Sequence, residues 1–222
     1  MDLQFFMDRV VPLLNRGVIM SIQLIIPSAI LGFAGGVLLG VLRGFGRPWQ
    51  KKLGDLYTTI FRGVPLVIQL FILYYGLPKL SVRFDGFTAA VLGFILCSAA
   101  YHSEYIRGAL LSISQGQIKA AQALGFSKFE LLRSIIIPQA LRRALPGCGN
   151  EFIYLIKYSS LAYVTTCVEL TGEAKILASR TYRFTEIFIA TGLYYLMLTS
   201  AATWVLHKLE KLAYIPGFGK SK

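Results

Sequence analysis

The sequence predicts an all-α protein that crosses a membrane several times, and three observations carry that expectation. Hydrophobic residues make up 55% of the chain and charged residues 15%, with a mean hydropathy of +0.59, whereas a soluble domain usually carries about 25% charge. Val18 to Leu42 holds no charged residue and exceeds the roughly 20 residues that a helix needs to cross hydrocarbon. Most Lys and Arg gather between such runs, as they do in the loops of membrane proteins. The net charge of +12 is therefore read as basic loops at a bilayer surface, and nucleic acid is set aside as a partner.

In chain order, residues 1–17 mix Asp2, Asp8, Arg9 and Arg16 with Leu3, Phe5, Phe6, Val10 and Leu14, a pattern that suits an interfacial segment. It lacks the basic start and apolar run of a signal peptide. Residues 18–207 form the transmembrane domain, beginning with a span over Val18 to Leu42 in which Pro27 introduces a kink. Gly32, Gly36 and Gly40 share one face of that span at four-residue spacing, which permits close helix contact. After a basic loop with Arg43, Arg47, Lys51 and Lys52, further spans are expected over about Leu56 to Leu77, Gly86 to Ile113, Cys148 to Val164 and Ile187 to Val205. Pro138 and Pro146 are expected to break the apolar stretch before Cys148. This makes about five transmembrane helices, followed by a polar tail at 208–222.

A polar island interrupts this plan. Ser114 with Gln117 has the spacing of a capping box, and Lys119 to Leu124 is built of good helix formers. Gly125 can take the left-handed backbone that ends a helix, and Ser127 with Glu130 repeats the capping spacing. The reading is a short helix, a tight glycine turn and a second helix, protruding from the membrane. With five spans, Arg43, Arg47, Lys51, Lys52, Lys119, Lys128, Arg133, Arg142, Arg143, Lys208, Lys211, Lys220 and Lys222 share one side. Arg9, Arg16, Lys79, Arg83, Lys175, Arg180 and Arg183 share the other. Thirteen cations against seven put the protruding helix and the C-terminus in the cytoplasm and the N-terminus outside.

Ala120-Ala121 followed by Gly125 and Ile137-Pro138 resembles the "EAA" loop in permease subunits of ATP-binding-cassette importers. Arg62-Gly-Val-Pro-Leu-Val-Ile-Gln69, Glu104-Tyr-Ile-Arg-Gly108, Asn150-Glu151, Lys157 to Leu161 and Glu169-Leu-Thr171 resemble landmarks of the polar amino acid subfamily. The resemblance covers nearly the whole chain and implies the type I importer permease fold. It makes the segment containing Gly116, Gln117, Lys119, Ala120, Ala121, Ala123, Leu124 and Gly125 the coupling helix, which docks on a cytoplasmic ATPase. It also implies the partners: a dimer of ATP-binding subunits that holds ATP and Mg, a second permease copy or paralogue, and an extracytoplasmic amino acid binding protein. The implied location is the bacterial cytoplasmic membrane.

Two positions depart from the family pattern. Lys119 stands where the family has Glu, placing a cation in the first turn of a helix at a cost of about 0.3–1 kcal/mol. Tyr158 stands where many relatives have an acid, which weakens the case for a cationic cargo.

Ionisable residues within spans are expensive and face protein or a watery cavity. Glu104 and Arg107 can pair at i, i+3 spacing. Arg62, Gly63, Pro65, Gln69, Lys157, Tyr158, Ser159, Ser160 and Glu169 are assigned by the resemblance to the translocation path, with Pro65 opening the helix there. No P-loop, H-E-x-x-H or G-x-S-x-G occurs, so no catalytic or metal residue is assigned. Cys97, Cys148 and Cys167 are read as small core residues, and the chain is expected to bind no cofactor itself. A self-sufficient carrier or channel is the alternative class, disfavoured by the protrusion and by the absence of an inverted repeat.

Overall fold

The computed structural model describes residues 3–213, and every regular element among them is helical. They are α1 (Phe6–Phe45), α2 (Pro48–Gly63), α3 (Leu66–Phe71) with its continuation to Leu80, α4 (Gly86–Leu111) and α5 (Gln115–Ala123). There follow α6 (Lys128–Leu131), α7 (Ile137–Tyr158), α8 (Leu170–Thr181) and α9 (Phe184–Ala213).

The spaced glycines do form a seam. A Cβ at Gly32 would stand 2.9 Å from Ser98 Cβ, one at Gly40 would stand 2.7 Å from Ile106 Cγ2, and one at Gly36 would overlap His102. The absence of side chains at these three positions lets α1 lie backbone to backbone along α4. Contacts advance together on both helices, so the two run parallel. We expect Gly36→Leu to cost about 1–3 kcal/mol through overpacking and to lower the thermal unfolding midpoint of the detergent-solubilised protein. An unchanged midpoint would show that the seam opens freely.

Parallel α1 and α4 require one return pass between them, and α2 with α3 supplies it as a bent pair, broken at Pro65, where the sequence places an opening. The two halves meet at 100°, because Pro65 lacks the N–H that would continue the ladder. Gln69 Nε2 donates to Phe61 O at 3.0 Å and Val64 O at 2.8 Å, so its amide satisfies carbonyls that the break strands. At the start of α4, Asp85 accepts from the Phe87 and Thr88 amides. The Thr88 hydroxyl first, and then these amide bonds, hold its carboxyl below the usual carboxylate range.

The expected breaks at Pro138 and Pro146 are corrected, and helices run through two of the expected boundaries. The boundary at Gly17 is not a break, since α1 runs through it. Val10 and Leu14 are fully buried and already pack against Leu170 and Ala174 of α8, so the first turns have a protein surface to extend along. Pro146 lies inside α7 and Pro138 in its first turn, and neither ends the helix. A π turn at Leu132–Ile136 precedes Pro138, and such turns absorb irregular ladders. Finally, α9 continues past residue 207 to Ala213, and the rest of the expected tail, 214–222, lies outside the described residues.

Among the described residues three helices are long and apolar enough to cross a membrane, or four with the bent pair. The span expected over Cys148 to Val164 falls on the end of α7 and the 3₁₀ turns at Ser159–Thr165, which are not among those helices. Arg143 binds Ser112 at one end and Thr165 binds Gly86 at the other, so this segment runs antiparallel to α4. Arg142, Arg143, Glu151 and Lys157 make it more polar than a lipid-facing span.

Candidate functional site

The polar island folds as its local signals require. Ser114 Oγ accepts the Gly116 N–H at 3.2 Å and opens α5. The reciprocal bond from Gln117 is missing, and Gln117 Oε1 is buried without a partner, so this capping box is half formed. At the far end Phe126 N–H donates to Ala121 O at 3.1 Å and Gly125 N–H to Gln122 O at 3.0 Å. This is the paired closure of a helix by a left-handed residue, and Gly125 has φ +84°. Ser127 and Glu130 form the complete reciprocal cap of the next helix, and the same bonds hold the Glu130 carboxyl below its ordinary range.

One face of α5 is tied down and the other is free. Ala121 is 3% exposed and joins Ile113, Leu131, Ile136 and Ala140 in a cluster shared with α4 and α7. Gly116, Lys119, Ala120, Ala123 and Gly125 are exposed. Leu124 and Phe129 are 78% and 68% exposed. Behind the protrusion, Arg143 Nη1 donates to Ser112 O at 2.7 Å and Ser112 Oγ at 2.9 Å, fixing the end of α4 to α7. Packing and hydrogen bonds thus tie α5 and its flanks to both α4 and α7.

The intramembrane charges assemble on the same half of the bundle. Glu104 accepts from Arg43 at 2.6 Å and Arg107 at 3.0 Å, with Arg62 3.5 Å away. Arg43 also binds Asp55 at 2.7 Å and Ser103 Oγ at 2.9 Å. The i, i+3 pair of Glu104 and Arg107 is therefore present, but Arg43 is its centre. The charge pattern of the sequence places Arg43 in a basic loop. It is instead buried in the last turn of α1, three residues beyond Gly40, and the glycine face extended by one turn would have pointed to it. A cation there also complements the helix macrodipole.

Beside this network lies a group of tyrosines around one carboxylate. Arg62 sits over the Tyr101 ring, 5.2 Å from its centroid. Glu151 is 2% exposed, its Oε1 has no hydrogen-bond partner, and Arg62, Tyr101, Tyr105 and Tyr158 are its electrostatic neighbours. Tyr154 and Tyr158 stack with centroids 5.9 Å apart and planes at 16°, and the Lys157 ammonium lies over Tyr154. Glu151, Tyr154 and Tyr158 follow i, i+3, i+7 spacing, a polar stripe on α7. That stripe was the available signal for Tyr154, which the sequence reading passed over along with Tyr101.

The remaining path candidates divide. Gly63 is exposed, with open space where a Cβ would be, and Pro65 caps α3. Ser160 Oγ donates to Lys157 O, and the buried Ser159 Oγ donates to Ile156 O. Gln69 is buried at the helix break. Glu169 is fully buried and caps α8 through the Thr171 and Gly172 amides, with Tyr195 donating to it. Those bonds occupy both Glu169 oxygens, whereas Glu151 Oε1 is buried without a partner.

Residues 36–213 match the family described as "Binding-protein-dependent transport system inner membrane component". The chain is 37% identical over 207 residues to the glutamine transport system permease protein GlnP of Escherichia coli (strain K12), covering 90% of this chain and 93% of that one. It is 39% identical over 218 residues to the octopine transport system permease protein OccM of Rhizobium radiobacter, covering 94% and 89%. A solved amino acid ABC transporter crystallised with histidines superposes with a TM-score of 0.84 at 32% identity, over 90% of this chain and 94% of that one. An inward-facing MetNI methionine transporter shares the fold, with a TM-score of 0.79 at 20% identity.

Proposed function

The chain belongs to the binding-protein-dependent transport system inner membrane component family, and from that premise we propose that it is the membrane-spanning subunit of an ATP-driven importer of polar amino acids. It is a transport subunit, not an enzyme. ATP and Mg belong to a separate dimer of cytoplasmic subunits, and an extracytoplasmic binding protein delivers the amino acid. A second permease copy or paralogue completes the path, which five passes enclose only in part. The N-terminus lies outside and the C-terminus in the cytoplasm of a bacterial inner membrane, as the distribution of Lys and Arg favours.

The observation that supports this reading best is α5. It is capped by the Ser114 side chain at one end and closed by backbone bonds at the other, anchored by Ala121, and presents Lys119, Ala120, Ala123 and Leu124 outward. A self-sufficient carrier has no use for such a lever. Closure of the ATPase dimer would move α5, and with it α4 and α7, the two helices that carry Tyr101, Glu104, Glu151 and Tyr158. The site faces those residues and Arg62. The cargo carboxylate pairs with the Arg62 guanidinium, and the cargo ammonium takes the free oxygen of Glu151. Gly63 and Pro65 leave room at the helix break, Lys157 and Ser160 border the path, and Gln69, Ser159 and Glu169 hold its walls.

Uptake into proteoliposomes should require the ATPase and internal ATP, and an ion gradient alone should not drive it. Gradient-driven uptake by the isolated chain would refute the importer reading. In a background with Cys97, Cys148 and Cys167 replaced by alanine, Ser160→Cys is expected to react with polar thiol reagents and to be protected by cargo. Inertness in every nucleotide state would move Ser160 off the path.

A further inference from the structure

The charges around the proposed cargo site do not balance. Arg43 and Arg107 already occupy Glu104 at 2.6 and 3.0 Å, so Arg62 at 3.5 Å is a third cation on one carboxylate, and its side chain is 41% exposed. Asp55 answers Arg43 at 2.7 Å. Arg43, Arg62 and Arg107 against Asp55 and Glu104 leave one positive charge over, and Lys157 adds another above Tyr154. The nearby carboxylate without a cation in contact is Glu151, which is buried with one unpartnered oxygen. The wall beside it is the stacked pair Tyr154 and Tyr158, which offers ring faces and hydroxyls but no counter-ion.

We infer that this site accepts amino acids whose side chain is uncharged or acidic and rejects basic ones, with Tyr158 as the specificity-determining residue. The inference rests on the cargo site proposed above. The ammonium and carboxylate common to all amino acids use Glu151 and Arg62. A guanidinium or ammonium side chain would then be desolvated beside the one cation still unmatched, Lys157, with no carboxylate left to meet it, and an unpaired buried charge is strongly disfavoured. An amide or carboxyl side chain meets the Lys157 ammonium and the tyrosine hydroxyls instead, and its flat group can lie on the ring faces. Discrimination here comes as much from the missing partner for the wrong cargo as from contacts to the right one.

The test is equilibrium binding of radiolabelled glutamine, glutamate and arginine to the assembled transporter in nanodiscs, with the binding protein omitted so that its own selectivity does not enter. Glutamine or glutamate should bind at least about tenfold more tightly than arginine, a difference of about 1.4 kcal/mol. Tyr158→Asp should raise arginine affinity and weaken glutamate, whereas Tyr158→Phe should preserve the wild-type order. Size-exclusion profiles of both variants check that they fold. Wild-type arginine binding as tight as that of glutamine, or a selectivity ratio unmoved by Tyr158→Asp in a folded complex, overturns the inference. Glu151→Gln and Arg62→Ala binding every amino acid as the wild type does would overturn the cargo site itself.

Discussion

Excision of Lys119–Leu124 is expected to reduce ATP-driven uptake to background while the chain still inserts in the membrane. The segment has one buried side chain in contact with the bundle, Ala121, so its removal subtracts little apolar burial. It does remove the exposed surface through which an ATPase would act, together with the link from that surface to α4 and α7. A narrower change separates coupling from packing. Gly125 has φ +84° and open space where a Cβ would be, so Gly125→Val meets no neighbour and acts through the backbone alone. Left-handed backbone costs an L-residue about 1–2 kcal/mol, more for a β-branched one, and the two closing bonds from Phe126 and Gly125 would be lost or shifted. The measurements are amino acid uptake and permease-stimulated ATP hydrolysis in reconstituted complexes, normalised to protein in the membrane. Loss of membrane protein in the excised chain would assign the segment to folding, and full uptake in it would remove it from the mechanism.

Replacement of Arg43 by alanine should be among the most destabilising single changes in the chain. Its side chain is 5% exposed and binds Asp55, Glu104 and Ser103 at once, so truncation would leave a half-buried carboxylate short of its nearest cation. Breaking such a buried network costs about 3–5 kcal/mol. Arg62 is the control, since it reaches the same carboxylate at 3.5 Å with 41% of its side chain exposed. Its contribution should be within about 1 kcal/mol. Arg43→Lys should recover only part of the loss, because a single ammonium cannot address three acceptors as a guanidinium fork does. Thermal unfolding in detergent reads all three variants. Equal midpoints for Arg43→Ala and Arg62→Ala would show that the network is not organised around Arg43.

The protruding helix was legible in the sequence almost to the residue. Ser114, Gly125, Ser127 and Glu130 act through bonds that span at most a few positions, so each cap carries its information with it. Gln117 is the exception, because its side chain was drawn inward, where no cap rule looks. The path residues were less legible. Arg62 and Tyr158 lie in the cluster, but Gln69 and Glu169 turned out to satisfy backbone ends, a duty that depends on where the helix breaks and which elements meet. Tyr101 and Tyr154 were missed because an aromatic residue in an apolar helix carries no mark of a site until a charge is placed beside it.

The sequence by itself determined that the chain is helical and lives in a bilayer, that Gly32, Gly36 and Gly40 share a face able to pack closely, and that a capped polar helix follows α4. Hydropathy, composition and capping are sums over neighbours in the chain, and the bilayer makes helix nearly obligatory for such a run. Only the tertiary structure decided that the second pass is bent through 100°, that Pro146 is carried inside a helix, and that Arg43 serves Glu104 across 61 positions. Pairing and burial depend on which faces meet. Here the glycine seam lets α1 and α4 approach closely enough for a cation counted as a loop residue to become the centre of a buried network.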